Sequence, residues 1–166
     1  RFNSLYGATF TVPELVPEAL TARVRDLADP VRKMSKSAPA DAPGVIRLLD
    51  GPEEIRRKVR RAVTDGGNRL RYDPIGQPGL ANLAEITAAL TGRTPDQVLA
   101  DAGSYGDLKA GCAEAVIAEL TPIQQRYREL LDNPDELRRR LEVGTAKATA
   151  VADRVLRRAR AAIGLG

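Results

Sequence analysis

The 166-residue chain has no histidine and no tryptophan, and only one cysteine and one methionine. Each absence removes a class of chemistry. Without histidine there is no imidazole base, no nucleophile–histidine pair and no His-ligated metal within the chain. Cys112 alone forms neither an intrachain disulfide nor a thiolate cluster, and its apolar neighbourhood marks it as a small core residue on a helix. Aromatic residues make up 4% of the chain, so a core drawn from its 43% apolar residues must rest on Ala, Val, Ile and Leu. Such side chains suit close helix packing. No apolar run approaches the ~20 residues that cross a bilayer, and no signal-peptide pattern opens the chain. A soluble, reducing, cytoplasmic setting is therefore expected. The length suits one domain, or one domain and part of another.

What is present is basic. Lys and Arg number 26 against 22 Asp and Glu, a net charge of +4, with a pI near 9.5. That balance favours an anionic partner such as RNA without specifying one. Carboxylates cluster only at helix starts, so neither a metal site nor a covalent nucleophile is expected.

The informative segment is Lys33-Met34-Ser35-Lys36-Ser37. Two ammonium groups three residues apart, flanked by hydroxyls and backbone N–H donors, can close over a triphosphate. A generic Lys/Ser stretch is usually a solvated loop. A five-letter match arises by chance in a chain this long at roughly 1 in 10^4, which weighs against that reading.

The segments around the motif are Arg1-Phe2-Asn3, Tyr6-Gly7, Ala22 to Leu27, Asp29-Pro30, Ala62 to Asp65, Arg71-Tyr72-Asp73, Pro78 to Leu83 and Leu120 to Gln124. With the pentapeptide, their order resembles the C-terminal half of bacterial tryptophanyl-tRNA synthetases, class I aminoacyl-tRNA synthetases with a KMSKS signature loop. The resemblance covers essentially the whole chain. It implies a mainly α fold: a helical bundle forming the anticodon-binding region (residues 52–166), preceded by the tail of a Rossmann-like nucleotide-binding domain carrying the loop (residues 1–51). It implies Lys33 and Lys36 as catalytic residues, and ATP contacts through Val24, Lys33, Met34, Ser35, Lys36 and Ser37. Mg2+ is expected to be bound through the ATP phosphates. Tryptophan, ATP and tRNA(Trp) are the implied substrates, and the full-length enzyme is implied to be a homodimer. The family's second, His-rich signature is absent and the chain opens on Arg1, so a fragment without activity of its own is expected. One departure stands out: where the family continues the signature with an acidic residue, this chain has Ala38. Two alternatives remain open at this stage, a tyrosyl-type class I fragment and a non-catalytic helical RNA-binding module.

Residues 1–51 are punctuated by Pro and Gly, with a helical turn or two expected within Glu14 to Leu27 and a short extended stretch at Val24. Pro52 opens a helix with Glu53 and Glu54 at its positive end. Ile55, Val59, Ala62 and Val63 share a face, and Gly66-Gly67 is the expected stop. Leu80, Leu83, Ala84, Thr87 and Leu90 predict a second helix closing at Gly92. Thr94 with Gln97, and Asn133 with Glu136, read as capping boxes with proline first in the helix. Leu108, Cys112, Val116, Leu120, Ile123, Tyr127 and Leu130 form one stripe, which Pro122 is expected to kink. Ala148, Val151, Val155, Ala159 and Ala162 continue to a C-terminal stop at Gly164. Arg56 to Arg61, Arg138 to Arg140, and Arg154 to Arg160 are either solvated faces or a phosphate-tracking surface. Tyr72 is a candidate for base stacking, whereas Tyr127 reads as core.

Overall fold

The computed structural model describes residues 1–15, 23–67 and 69–165. They form six helices: α1 (Phe2–Tyr6), α2 (Pro52–Arg60), α3 (Pro78–Thr91), α4 (Pro95–Asp101), α5 (Tyr105–Leu131) and α6 (Pro134–Ala162). No strand occurs among the described residues, only an isolated antiparallel bridge between Arg25 and Lys33. The helical turn expected within Glu14 to Leu27 falls largely on 16–22, outside the described residues. The part that is described, from residue 23 to 27, is not helical.

Four helices start on proline, at 52, 78, 95 and 134, where the missing N–H costs nothing. Thr94 and Gln97 form the full reciprocal capping box. At α6 only half of the expected box exists. Asn133 accepts the Glu136 N–H, but the Glu136 carboxylate is turned to Arg139 and Arg140 instead. Charge-assisted pairing outcompetes a neutral backbone donor. α3 ends at Gly92 with φ 68°. α6 ends in a Schellman motif around Gly164, whose φ is 78°, with Leu165 N–H on Arg160 O at 2.8 Å and Gly164 N–H on Ala161 O at 3.1 Å.

The chain divides into two compact units, Arg1–Val16 with Tyr127–Gly166, and Pro17–Arg126. The expected division between residues 51 and 52 falls within the second. That unit holds the core: Leu27, Ile55 and Val59 pack with Leu80, Leu83, Ala84 and Ala88 of α3, Val98 and Leu99 of α4, and Leu108, Cys112, Val116 and Leu120 of α5. Gly79 permits close packing here, because a Cβ would collide with the Val63 carbonyl oxygen.

Several apolar positions depart from the expected pattern. α2 stops at Arg60 rather than at Gly66-Gly67. Val63 is exposed; its N–H leaves the helix direction to bond Leu27 O at 2.7 Å, while Lys109 donates to Ala62 O at 2.8 Å. Leu90, Ile123 and Tyr127 are exposed, so the Tyr127 assignment to the core is corrected. Of the five or six helices expected to form one bundle over about 53–164, four, α2 to α5, share the core of the second unit. In the first unit, Asn3 organises the N-terminal segment. Its Oδ1 accepts Thr9 N–H at 3.2 Å and Phe10 N–H at 2.9 Å, and its Nδ2 donates to Phe10 O at 2.7 Å. Phe2 stacks edge-on against Phe10 with centroids 4.9 Å apart.

Candidate functional site

The pentapeptide sits on a strap within the second unit. Residues 24–26 run antiparallel to 32–34: Met34 N–H bonds Val24 O at 3.0 Å and Asp26 N–H bonds Arg32 O at 3.0 Å. Asp26 closes the connecting turn by accepting the N–H groups of Ala28 (2.8 Å) and Asp29 (3.2 Å). The outer stretch is fastened to α3 by Asn82, which is 2% exposed. Its Oδ1 accepts Arg25 N–H at 2.9 Å and its Nδ2 donates to Arg25 O at 3.0 Å. One side chain thereby does for Arg25 what a neighbouring strand would do.

Val24 and the loop, paired by the sequence reading, are thus brought together through their main chains. Met34 turns inward and packs against the core. Lys33, Ser35, Lys36 and Ser37 are exposed, and neither lysine enters an ion pair among the described residues. At the tip, the Ser35 and Ser37 hydroxyls lie 3.0 Å apart and Ser37 N–H donates to Ser35 Oγ at 3.3 Å. A cavity of about 460 Å³ opens beside this tip, lined among others by Arg32, Lys33, Ser35 and Ser37. Asp26 and Asp29 also line it, but Asp26 is occupied by N–H groups and Asp29 lies 3.9 Å from Arg32. The lining offers Arg32, Lys33 and the Ser35 and Ser37 hydroxyls to phosphate oxygens, beside the carboxylates of Asp26 and Asp29. Lys36 does not line this cavity.

The C-terminal stem of the loop is held by a residue the sequence reading missed. The Arg47 guanidinium donates to the carbonyls of Ala38 (2.7 Å), Pro39 (2.6 Å) and Ala40 (3.3 Å). Arg47 N–H donates to Asp50 Oδ2 at 2.9 Å, which also accepts Lys58 Nζ at 2.7 Å. Lys58 is 5% exposed, which removes it from the exposed basic cluster expected on α2. Gln124 of α5 donates to Leu48 O and Asp50 O at 2.8 and 2.9 Å. The only signals for these roles were polar letters inside apolar stretches, as with Asn82 between Leu80 and Leu83.

The other basic clusters are neutralised locally in part. Arg56 bridges Glu53 and Glu114 at 2.6 and 2.7 Å, and Arg57 meets Glu54 at 2.6 Å. Arg138 pairs with Asp135 at 2.8 Å, while Arg139 and Arg140 share Glu136 at 2.8 and 2.6 Å. Those two arginines hold the Glu136 carboxyl below its ordinary value. Arg154, Arg157 and Arg160 are exposed on α6. The Tyr72 hydroxyl donates to Glu85 at 2.8 Å; burial and that bond push it up to about 12. Half-buried and engaged, Tyr72 is a poor stacking platform as it stands.

Residues 5–121 match the family model described as tRNA synthetases class I (W and Y). Tryptophan–tRNA ligase 1 of Streptomyces coelicolor is 45% identical over 165 residues, covering 99% of this chain and 49% of that protein. The tryptophan–tRNA ligase of Mycobacterium leprae is 44% identical over 160 residues, covering 95% of this chain and 46% of its own length. The crystal structure of the tryptophanyl-tRNA synthetase from Mycoplasma pneumoniae superposes with a TM-score of 0.85 at 31% identity, over 99% of this chain and 50% of that one. The chain spans about half the length of the curated relatives it matches.

Proposed function

The chain belongs to the class I tRNA synthetases of the tryptophan and tyrosine group, and from that premise we propose that it is the C-terminal half of a tryptophan–tRNA ligase. The observation that carries the proposal is the exposed set Lys33, Ser35, Lys36 and Ser37, with Lys33, Ser35 and Ser37 lining a cavity together with Arg32. The similarity of the relatives to this chain supports tryptophan over tyrosine as the amino acid. Residues 1–51 are read as the tail of a Rossmann-like catalytic domain and 52–166 as the helical anticodon-binding domain. The full-length enzyme is read as a cytoplasmic homodimer.

The reaction has two steps. The tryptophan carboxylate attacks the α-phosphorus of ATP, forming tryptophanyl-adenylate and expelling pyrophosphate. The terminal ribose of tRNA(Trp) then displaces AMP to form the ester. In the first step the substrate supplies its own nucleophile, so the protein's work is positioning and stabilising charge on the leaving group. Lys33 and Lys36 supply cations for that charge, and Ser35, Ser37 and nearby N–H groups donate to phosphate oxygens. Val24 and Met34, paired through their main chains, line the approach of the nucleotide. Mg2+, entering with ATP, would supply further positive charge beside Lys33 and Lys36. Lys36 is exposed and does not line the cavity, which suits a contact that tightens as charge develops.

The test is tryptophan-dependent ATP–pyrophosphate exchange. It should be at background for residues 1–166 and present in the full-length protein. There, Lys36→Ala should slow single-turnover adenylate formation by about 10^2-fold or more with a smaller change in ATP affinity. Robust exchange by 1–166 alone would sink the division of the active site. An intact adenylation rate with weakened ATP binding would reduce the lysines to ground-state contacts.

A further inference from the structure

We propose that Arg47 is a positioning residue that holds the C-terminal stem of the signature loop, so that only its tip is free to close over phosphate. This rests on the reading of Lys33–Ser37 given above. The three carbonyls that Arg47 gathers, those of Ala38, Pro39 and Ala40, follow the tip directly. They lie in a stretch with no helix or strand to bond them, and Pro39 offers no N–H of its own. A planar guanidinium with five donors can reach successive carbonyls in a way that a lysine ammonium cannot.

Arg47 is itself immobilised. Its N–H is held by Asp50 at 2.9 Å, and Asp50 is held by buried Lys58 at 2.7 Å. Lys58 also donates to Val45 O at 2.8 Å and lies 3.5 Å from Glu54 of α2. Gln124 fixes the carbonyls of Leu48 and Asp50 to α5. The N-terminal stem is fixed independently, by the pairing of Met34 with Val24 and by Asn82 on Arg25. Between these two anchored stems, and among the described residues, the hydrogen bonds of Ser35 to Ser37 run to their own neighbours. Arg47 grips main-chain oxygens, so its hold does not depend on which side chain stands at position 38.

Amide hydrogen exchange on residues 1–166 tests the tether without reference to activity. Arg47→Ala should speed exchange at Ala38 and Ala42, whose N–H groups bond Ser35 O and Pro39 O, by about tenfold or more, the scale of a lost charge-assisted contact. The α3 amides should keep their protection. Arg47→Lys, which keeps the charge but not the fork, should recover only part of the protection. In the full-length protein, Arg47→Ala should lower the rate of adenylate formation by about tenfold with KM for tryptophan unchanged. Unchanged exchange at Ala38 and Ala42 would overturn the tether, and faster exchange with an unchanged adenylation rate would overturn the positioning role. If α3 loses protection in Arg47→Ala, Arg47→Lys is read in its place with the same two outcomes. A full-length protein without tryptophan-dependent exchange of pyrophosphate would sink the proposed function, leaving the amide measurement to decide the tether by itself.

Discussion

α3 and α6 are built from the same local instructions and end in different environments. Both open on proline, both are followed by a glycine in the left-handed region, and both hold a periodic apolar pattern. Yet α3 buries eight of its 14 residues, whereas α6 buries only Ala159 of its 29. Composition explains the contrast. α3 carries one charged residue, Glu85, so its surface is apolar nearly all round and must be enclosed. α6 alternates arginines and acids with Leu141, Val143, Val151 and Leu156, all of which stay exposed. Proline, caps and glycine decide where a helix starts and stops; they do not decide whether it joins a core.

The largest effect should come from core truncation. Leu83→Ala should lower the unfolding free energy by about 2–5 kcal/mol, since the site is fully enclosed and collapses only partly. Leu141→Ala on α6 should stay within about 0.5 kcal/mol, as surface changes usually do. Urea unfolding of the two variants checks the contrast. A comparable loss at Leu141 would mean that α6 is buried in solution.

Next in size is the polar fastening that supports the loop. Asn82→Ala should cost about 1–3 kcal/mol, because it strips partners from both the N–H and the carbonyl of Arg25. Faster exchange of the Arg25 amide, with α4 amides unchanged, is the specific sign. If that amide remains protected, the bridge to Lys33 holds the strap without Asn82.

The two kinds of fastening also explain what was legible in the sequence. Pro52, Pro95, the Thr94–Gln97 box and Gly92 each act within a few residues, so spacing reveals them. Leu80, Leu83 and Leu108 follow the helical period and land in the core. Arg47 and Asn82 act on main-chain atoms, and Asn82 does so across 57 residues. A backbone carbonyl has no letter in the sequence, so nothing in the pattern points to its partner. The same holds for Lys58, which reads as one more surface cation on α2 until Asp50 and Val45 O are seen beside it. The loop stands out in the sequence because the chemistry proposed for it rests on its own side chains. Its anchoring does not.

The smallest effect, and the finest test of the contrast within α6, concerns its arginines in the full-length protein. Arg154, Arg157 and Arg160 follow one another at three-residue intervals, so consecutive members are neighbours along the helix. Their exposed charges are available to phosphate. Arg138, Arg139 and Arg140 are already engaged by Asp135 and Glu136. Because Glu136 is held below its ordinary carboxyl value of 4.5 by Arg139 and then Arg140, that pairing is present above pH 4.5. It is lost only as pH falls through the lowered folded value, so it persists at neutral pH. Replacing Arg154, Arg157 and Arg160 by Gln should flatten the log–log salt dependence of tRNA binding by up to about three units, roughly one per lost phosphate contact. Replacing Arg138, Arg139 and Arg140 should flatten it by about one unit or less, since two carboxylates already offset that cluster. Titrations of tRNA from low to moderate salt measure both slopes. A larger change at 138–140 would show that RNA displaces those carboxylates on binding, and the local ion pairs would then be no guide to the RNA-facing side.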